Sequence, residues 1–173
     1  MNNPSIKQFI EEGNLTIGIE FGSTRIKTVA IDDNCKTLAT GTFGWENTYQ
    51  DGYWTYSMND AWIGLQKSYS EMTKVIKEQY GTTVKKIKSL GISGMMHGYL
   101  VFDQKEDLLV PFRTWRNNNA NHAAQILREA FQVNIPERWS IAQLYQSAID
   151  DESHVAKVYY MTTLAGYIHW YLT

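Results

Sequence analysis

The sequence predicts an α/β domain in which a mixed sheet is flanked by helices, and three observations carry that expectation. Leu15–Phe21, Arg25–Asp32 and Lys36–Trp45 read as three short strands joined by tight turns, which favours an antiparallel meander. From Asn59 the apolar period changes: Trp62, Leu65, Tyr69, Met72 and Ile76 recur at three- and four-residue spacing, the pattern of one helix face. Lys86–Ser93 (KIKSLGIS) then returns to a strand, and a strand–helix–strand crossover implies a parallel pairing of right-handed sense. Antiparallel and parallel pairings within one sheet make it mixed.

Taken in order, Pro4–Glu12 reads as a short helix stopped by Gly13, which makes residues 1–14 an N-terminal extension. The first strand, Leu15–Phe21, runs into a Gly22-Ser23-Thr24 turn, and the second carries Lys27 and ends at Asp32. Asp33-Asn34 supplies a hairpin-type turn, and Gly41 and Gly44 weaken the third strand. Glu46–Ser57, polar and aromatic, reads as a loop. The long helix takes Asn59 as its N-cap and Gly81 as its stop. Gly94–Gly98 turns the chain into a strand at Tyr99–Asp103, and Leu108–Phe112 reads as a further short strand. Asn117–Phe131 carries a helical pattern that Gln132–Pro136 breaks, with Asn117 or Asn118 as N-cap. Ile141–Ile149 and Thr162–Leu172 complete the helices, the last with Leu164, Ile168, Tyr171 and Leu172 as expected buried positions.

Size and charge narrow the function classes. At 173 residues and 43% hydrophobic the chain has the length of one domain and enough apolar mass for a core. A net charge of −2 and a pI of about 6.1 argue against a nucleic-acid or membrane-surface partner. Cys35 is the sole cysteine, so an internal disulfide is excluded. The leading MNNPSIKQFIEEGN has no apolar h-region, and no run approaches ~18 apolar residues, so the cytoplasm is the expected location. The four histidines show no metal-ligand spacing.

Three clusters carry chemistry. In LTIGIEFGSTRIKTVAID (residues 15–32) a strand–turn–strand presents a phosphate-binding set. Gly22 lets the backbone approach closely, Ser23 and Thr24 bring hydroxyls, Lys27 brings positive charge, and Glu20 offers a carboxylate to a magnesium ion through water. Neither G-x-x-x-x-G-K-[ST] nor G-x-G-x-x-G occurs. In Met95-Met96-His97-Gly98, a histidine at the mouth of a strand suits a sugar hydroxyl while methionine packs on the apolar face. In Trp115-Arg116-Asn117-Asn118-Asn119, a flat ring stands beside amides whose donors and acceptors suit vicinal hydroxyls. Each cluster also has an ordinary structural explanation: a glycine turn, a histidine satisfied by backbone, and a helix cap.

Together the clusters resemble the N-terminal part of the FGGY carbohydrate kinases, xylulokinase-like members above all. IGIEFGSTRIK resembles that family's first phosphate motif, and GYWTYSMNDAW its Trp-led entry to the first long helix. GISGMMHGYLVFD resembles the sugar-binding G-x-M-H-G strand, PFRTWRNNN the Trp-containing sugar loop, and LAGYIHWYLT the helix that precedes the catalytic segment. The resemblance runs from about Leu15 to Thr173.

The resemblance implies a ribonuclease-H-like, actin-type ATPase domain whose members transfer the γ-phosphoryl of ATP, with Mg2+, to a hydroxyl of a pentulose or related sugar. Carried over, Gly22, Ser23, Thr24 and Lys27 lie by the phosphates and Glu20 near the metal, while Met96, His97, Trp115 and Asn117 line the sugar site. Two positions depart from the resemblance: most members of the family have Asp where this chain has Glu20, and xylulokinases have Asp where it has Asn117. The family's general-base Asp is expected beyond Thr173, in a D-A-S-G-like segment that these residues lack, and the ATP-binding domain follows it. The chain is therefore expected to be C-terminally truncated, without a catalytic residue of its own and inactive alone. It is also expected to self-associate, as a dimer, through an apolar surface near Tyr167, Trp170 and Tyr171. A second reading is a non-catalytic sugar- or nucleotide-binding regulatory module on the same scaffold, which Glu20 and Asn117 favour.

Overall fold

The computed structural model describes residues 5–173, so Pro4, at the start of the first expected helix, lies outside the described residues. In chain order the elements are α1 (Ile6–Glu11), β1 (Thr16–Phe21), β2 (Arg25–Ile31), β3 (Thr37–Gly44), β4 (Thr48–Gln50), β5 (Tyr53–Thr55) and α2 (Met58–Tyr80). They continue as β6 (Ser89–Ser93), β7 (Leu100–Phe102), α3 (Asn121–Phe131), α4 (Ser140–Ile149), β8 (Tyr160–Thr162) and α5 (Leu164–Leu172). No helix among the described residues is long and apolar enough to cross a membrane. The chain folds as two compact units, one running to Glu46 and resuming at Asn59–Gly94, the other formed by Asn47–Met58 and Met95–Thr173.

The first unit is built on a four-stranded sheet in the order β3-β2-β1-β6. β1 and β2 pair antiparallel, as do β2 and β3, and β6 returns parallel to β1. The expected mixed sheet is therefore present. Alternation gives each strand two faces: Ile17, Ile19 and Phe21 of β1 and Ile26, Thr28 and Ala30 of β2 are buried, while Gly18 and Glu20 are exposed.

The long helix has the expected period but a different buried stripe. Ala61, Gly64, Ser68, Met72 and Ile76 are its buried residues, whereas Trp62, Leu65 and Tyr69 are only half-buried. The reason is close approach to the sheet. A Cβ on Gly64 would lie 2.5 Å from Ile26 Cδ1, and one on Gly41 of β3 would lie 1.9 Å from the Ser68 carbonyl oxygen. Gly41 is thus not a weak point of β3 but the residue that admits the helix. Thr28 Oγ1 and Ser68 Oγ share a buried hydrogen bond of 2.8 Å at the same seam. The helix starts at Met58, so Asn59 sits inside its first turn rather than capping it.

The second unit departs further from the sequence expectation. Glu46–Ser57, read as a loop, contains the β4–β5 hairpin. Asp51 (φ 50°) and Gly52 (φ 85°) form its two-residue turn, and an Asp-Gly pair with both φ positive matches the twist of flanking strands. Leu108–Phe112 is not a strand: its neighbourhood forms only the isolated bridges Tyr99↔Arg113 and Phe102↔Leu108. β7 pairs instead with β8, whose last residue, Thr162, is the expected start of the final helix. α5 then begins at Leu164, capped by the Thr163 side chain, which accepts from Gly166 N.

α3 begins at Asn121, four residues after the expected start, so neither Asn117 nor Asn118 is its cap. It packs on α4 through Ala120, Ala124, Ile135 and Ala142, with Leu127 against them. In α5, Leu164 and Ile168 are buried as expected, but Tyr171 is 64% exposed and Leu172 is exposed too. Tyr167 takes the inner place and stacks on Phe102 with ring centres 5.4 Å apart.

Candidate functional site

The residues expected beside the phosphates all lie in the first unit. Gly22 N donates to the Arg25 carbonyl oxygen (3.0 Å) and closes the turn between β1 and β2, leaving Ser23 and Thr24 exposed at the tip. Gly22 does not take a positive φ; a Cβ there would come 3.1 Å from the Arg25 carbonyl oxygen, so crowding rather than handedness favours glycine. Trp45, 6% exposed, pins the turn from behind. Its indole Nε1 donates to the Gly22 carbonyl oxygen (2.7 Å), its backbone N donates to the Thr24 carbonyl oxygen (3.2 Å), and its ring packs edge-on against Phe21.

Beside the turn, the exposed face of the sheet forms a cavity of about 320 Å3 lined by Gly18, Glu20, Lys27, Val29, Gly91 and Ser93 among others. Strand register assembles it: Glu20 stands opposite Lys27 on β2 and Ser93 on β6, and Gly18 stands opposite Gly91. The two facing glycines leave a floor without side chains, because a Cβ on either would meet nothing within 4 Å. Sequence reasoning found Glu20 and Lys27 but missed Gly18, Gly91, Ser93 and Trp45. The matching steps Gly18-x-Glu20 and Gly91-x-Ser93 carried the signal, but only the parallel register aligns them.

Glu20 is the one carboxylate of this cavity, and no group of three His, Cys, Asp or Glu side chains that could hold a metal occurs among the described residues. That donor set fits Mg2+ held largely by water and phosphate oxygens, with one protein carboxylate at its edge.

The residues expected to line the sugar site lie in the second unit. Met96 is 73% exposed and Trp115 42%, and His97 is half-buried. Tyr99 and Arg113 pair antiparallel through Tyr99 N to the Arg113 carbonyl oxygen (2.8 Å) and Arg113 N to the Tyr99 carbonyl oxygen (3.2 Å). His97 precedes that pair by two residues and Trp115 follows it by two. Gly98 makes the pairing reachable: its φ of +126° and the Phe112 ring, 2.6 Å from where a Cβ would sit, exclude other residues. Its carbonyl oxygen accepts from Ser140 Oγ at the start of α4. Trp139, next to that serine, stacks on His97 with ring centres 6.3 Å apart and is 38% exposed. Sequence reasoning missed this second tryptophan because it lies some forty residues along the chain. Burial, then the nearby Arg138 charge, holds the His97 imidazole below its usual pKa and favours the neutral ring, which both donates and accepts.

Asn117 is placed differently from its neighbours. It is 3% exposed, and its Oδ1 accepts from Trp54 N (2.8 Å) while Nδ2 donates to the carbonyl oxygens of Trp54 (2.8 Å) and Thr114 (3.0 Å). Its amide is committed to the backbone of the β4–β5 hairpin and of its own loop. Arg116 covers the outer side, with its guanidinium carbon 3.8 Å from the Trp54 ring centre and a hydrogen bond to Asn47 Oδ1 (2.6 Å).

A sequence model described as the N-terminal domain of the FGGY family of carbohydrate kinases matches residues 15–169. The chain belongs to this family. The match encloses both the turn at Gly22 and the His97–Trp115 surface. Among solved structures, this FGGY domain resembles a xyloylose kinase from Brucella ovis (TM-score 0.78, 14% identity), covering 91% of this chain and 33% of that one. It also resembles a gluconate kinase from Lactobacillus acidophilus (TM-score 0.72, 20% identity), covering 86% of this chain and 31% of that one. A xylulose kinase from Bifidobacterium adolescentis superposes with TM-score 0.71 at 13% identity, covering 92% of this chain and 34% of that one. At such identities the likeness establishes the actin-like fold. The FGGY chain spans about a third of the length of these structures. No curated protein sequence matches it.

Proposed function

We propose that this FGGY domain supplies the phosphate turn and the sugar surface of an ATP-dependent kinase acting on a hydroxyl of a pentulose or related sugar. The observation that carries this reading is the cavity beside the Gly22 turn. One carboxylate, one ammonium, a hydroxyl and two facing glycines meet there on an open sheet face, a chemistry suited to a magnesium-bearing polyphosphate.

In this reading Lys27 offsets phosphate charge, Ser23 and Thr24 present hydroxyls at the turn, and Glu20 holds a water of the Mg2+ shell. Mg2+ itself, when bound, offsets charge on the phosphate oxygens. Met96, His97 and Trp115, joined by Trp139, hold the sugar, and Asn117 acts from behind by fixing the loop. In the reaction a sugar oxygen forms a bond to Pγ, the bond from Pγ to the ADP oxygen breaks, and the hydroxyl proton passes to a carboxylate base. Positioning and charge stabilisation supply most of the acceleration. No Asp-Ala-Ser-Gly run occurs in this sequence to provide the base, so residues 1–173 alone are proposed to bind without turnover.

The test is isothermal titration of the 173-residue chain with a magnesium complex of a non-hydrolysable ATP analogue and with D-xylulose, beside a coupled assay for ADP release. Binding without sugar-dependent ADP release is expected. Robust phosphorylation by this chain overturns the inactivity, and failure to bind either ligand overturns the site assignment.

A further inference from the structure

Behind the sugar-side surface lies an ionic hub in which Arg113, Tyr99, Ser147 and His154 are buried and Glu152 is half-buried. Arg113, 5% exposed, donates through Nη1 to Ser147 Oγ (2.9 Å) and to Glu152 Oε1 (2.9 Å), and through Nη2 to Glu152 Oε2. Its guanidinium carbon lies 3.9 Å from the Tyr53 ring centre and 5.4 Å from that of Tyr99. Tyr99 Oη shares a hydrogen bond with His154 Nε2 (2.9 Å), and His154 Nδ1 stands 3.5 Å from Glu152 Oε2. The whole set belongs to the second unit, and no buried side-chain nitrogen or oxygen among the described residues lacks a partner.

As a stability device such a hub is poor, because desolvating an ion pair largely cancels its attraction and apolar replacements of both partners are often neutral. As a positioning device it is well made. Arg113 is two residues before Trp115, and its backbone partner Tyr99 is two residues after His97. Tyr53, whose ring packs on the guanidinium, precedes Trp54, whose backbone Asn117 and Thr114 hold. One planar, forked cation therefore ties together the His97 segment, the Trp115 loop and the β4–β5 hairpin that holds Asn117, and lysine cannot reproduce the fork or the stacking.

We propose that Arg113, held by Glu152 and Ser147 and packed against the Tyr53 and Tyr99 rings, is a positioning residue that sets the spacing of the His97 turn and the Trp115 loop and thereby sugar affinity. The inference rests on the sugar-side assignment made above. The experiment compares wild type, Arg113→Lys and the paired apolar replacement Arg113→Met/Glu152→Leu in titrations with D-xylulose and with gluconate, and with the magnesium complex of the ATP analogue as a control on the first unit. Both variants are expected to unfold cooperatively, to lose sugar affinity by about ten-fold or more, and to keep nucleotide affinity within about two-fold, since small misplacements cost this much where geometry is set. A folded variant that binds sugar as wild type does overturns the inference while leaving the sugar-side assignment standing. A wild-type chain that binds neither sugar probe overturns the assignment and this inference with it.

Discussion

Asn117 shows how far a residue type in sequence can differ from its work in the structure. Its position in Trp115-Arg116-Asn117 suggested a sugar contact or a helix cap, yet its amide holds Trp54 from both sides and Thr114 besides. The donors are what matter there. An aspartate in its place would set a carboxylate oxygen against the carbonyl oxygens of Trp54 and Thr114, leaving buried acceptors facing an acceptor. Asn117→Asp, although it restores the residue expected of xylulokinases, should therefore destabilise this chain by about 1–3 kcal/mol. Thermal unfolding at neutral pH reads the loss, and a melting temperature equal to or above wild type would count against this account. The surface residues were easier to read. Met96 and Trp115, exposed, and His97, half-buried, are legible as candidates from their types and order in a short turn and loop. Trp139 and Trp45 were not, because their parts depend on contacts across 42 and 23 positions of chain, to the Gly98 region through the neighbouring Ser140 and to Gly22 respectively.

At the scale of elements, regular periods were legible and close approaches were not. β1, β2, β3 and β6 and the long helix could all be read from alternation and three-to-four spacing. What the period alone cannot tell is which neighbouring stripe faces the sheet. Here the small stripe, Ala61, Gly64 and Ser68, wins over the large one, because Gly41 opens a slot for the helix backbone. The β4–β5 hairpin was hidden by its three-residue strands, although Asp51-Gly52 is a strong turn signal. β8 was hidden because its pairing with β7 joins segments about sixty residues apart. The helix–sheet seam gives a sharp prediction. Gly41→Ala places a methyl group on the Ser68 carbonyl oxygen and near Met72 N, both backbone atoms that no rotamer change can clear. The helix must move away, also stretching the Thr28–Ser68 bond. Overpacking of this kind costs about 1–3 kcal/mol, to be read as a lower urea midpoint at unchanged slope. Gly52→Ala, at an open turn where a Cβ meets nothing within 4 Å, is the control: it strains only its own positive φ and should cost less. Equal midpoints for Gly41→Ala and wild type would remove the close-approach explanation.

For the molecule as a whole, the ionic hub ties stability to pH in a definite direction. Glu152 is pushed up by burial, but the hydrogen bonds and charge of Arg113 outweigh this and hold it below its ordinary value of 4.5. His154 is lowered from 6.5, first by burial and then by the Arg113 charge, against the opposing pull of Glu152. Tyr53 also faces Glu152, with the Asp150 charge nearby, and burial raises it, so the phenol keeps its proton through the neutral range. When the chain unfolds at pH below about 6.5, the released His154 takes up a proton that the folded ring refuses, so the unfolded state binds more protons and stability falls. His97, also lowered by burial, adds in the same sense. Below 4.5 the unfolded Glu152 begins to protonate while the folded carboxylate stays ionised beside Arg113, and a second loss follows as the pH falls through its folded value. The urea midpoint of the chain is therefore expected to decline from neutrality downward in two overlapping stages. His154→Gln should blunt the upper stage and Glu152→Gln the lower one, the latter from a lower starting stability because Arg113 loses its charged partner. A midpoint that is flat between pH 7 and 5, or that rises on acidification, would mean that the hub is solvated and that its groups titrate as they do in the unfolded chain.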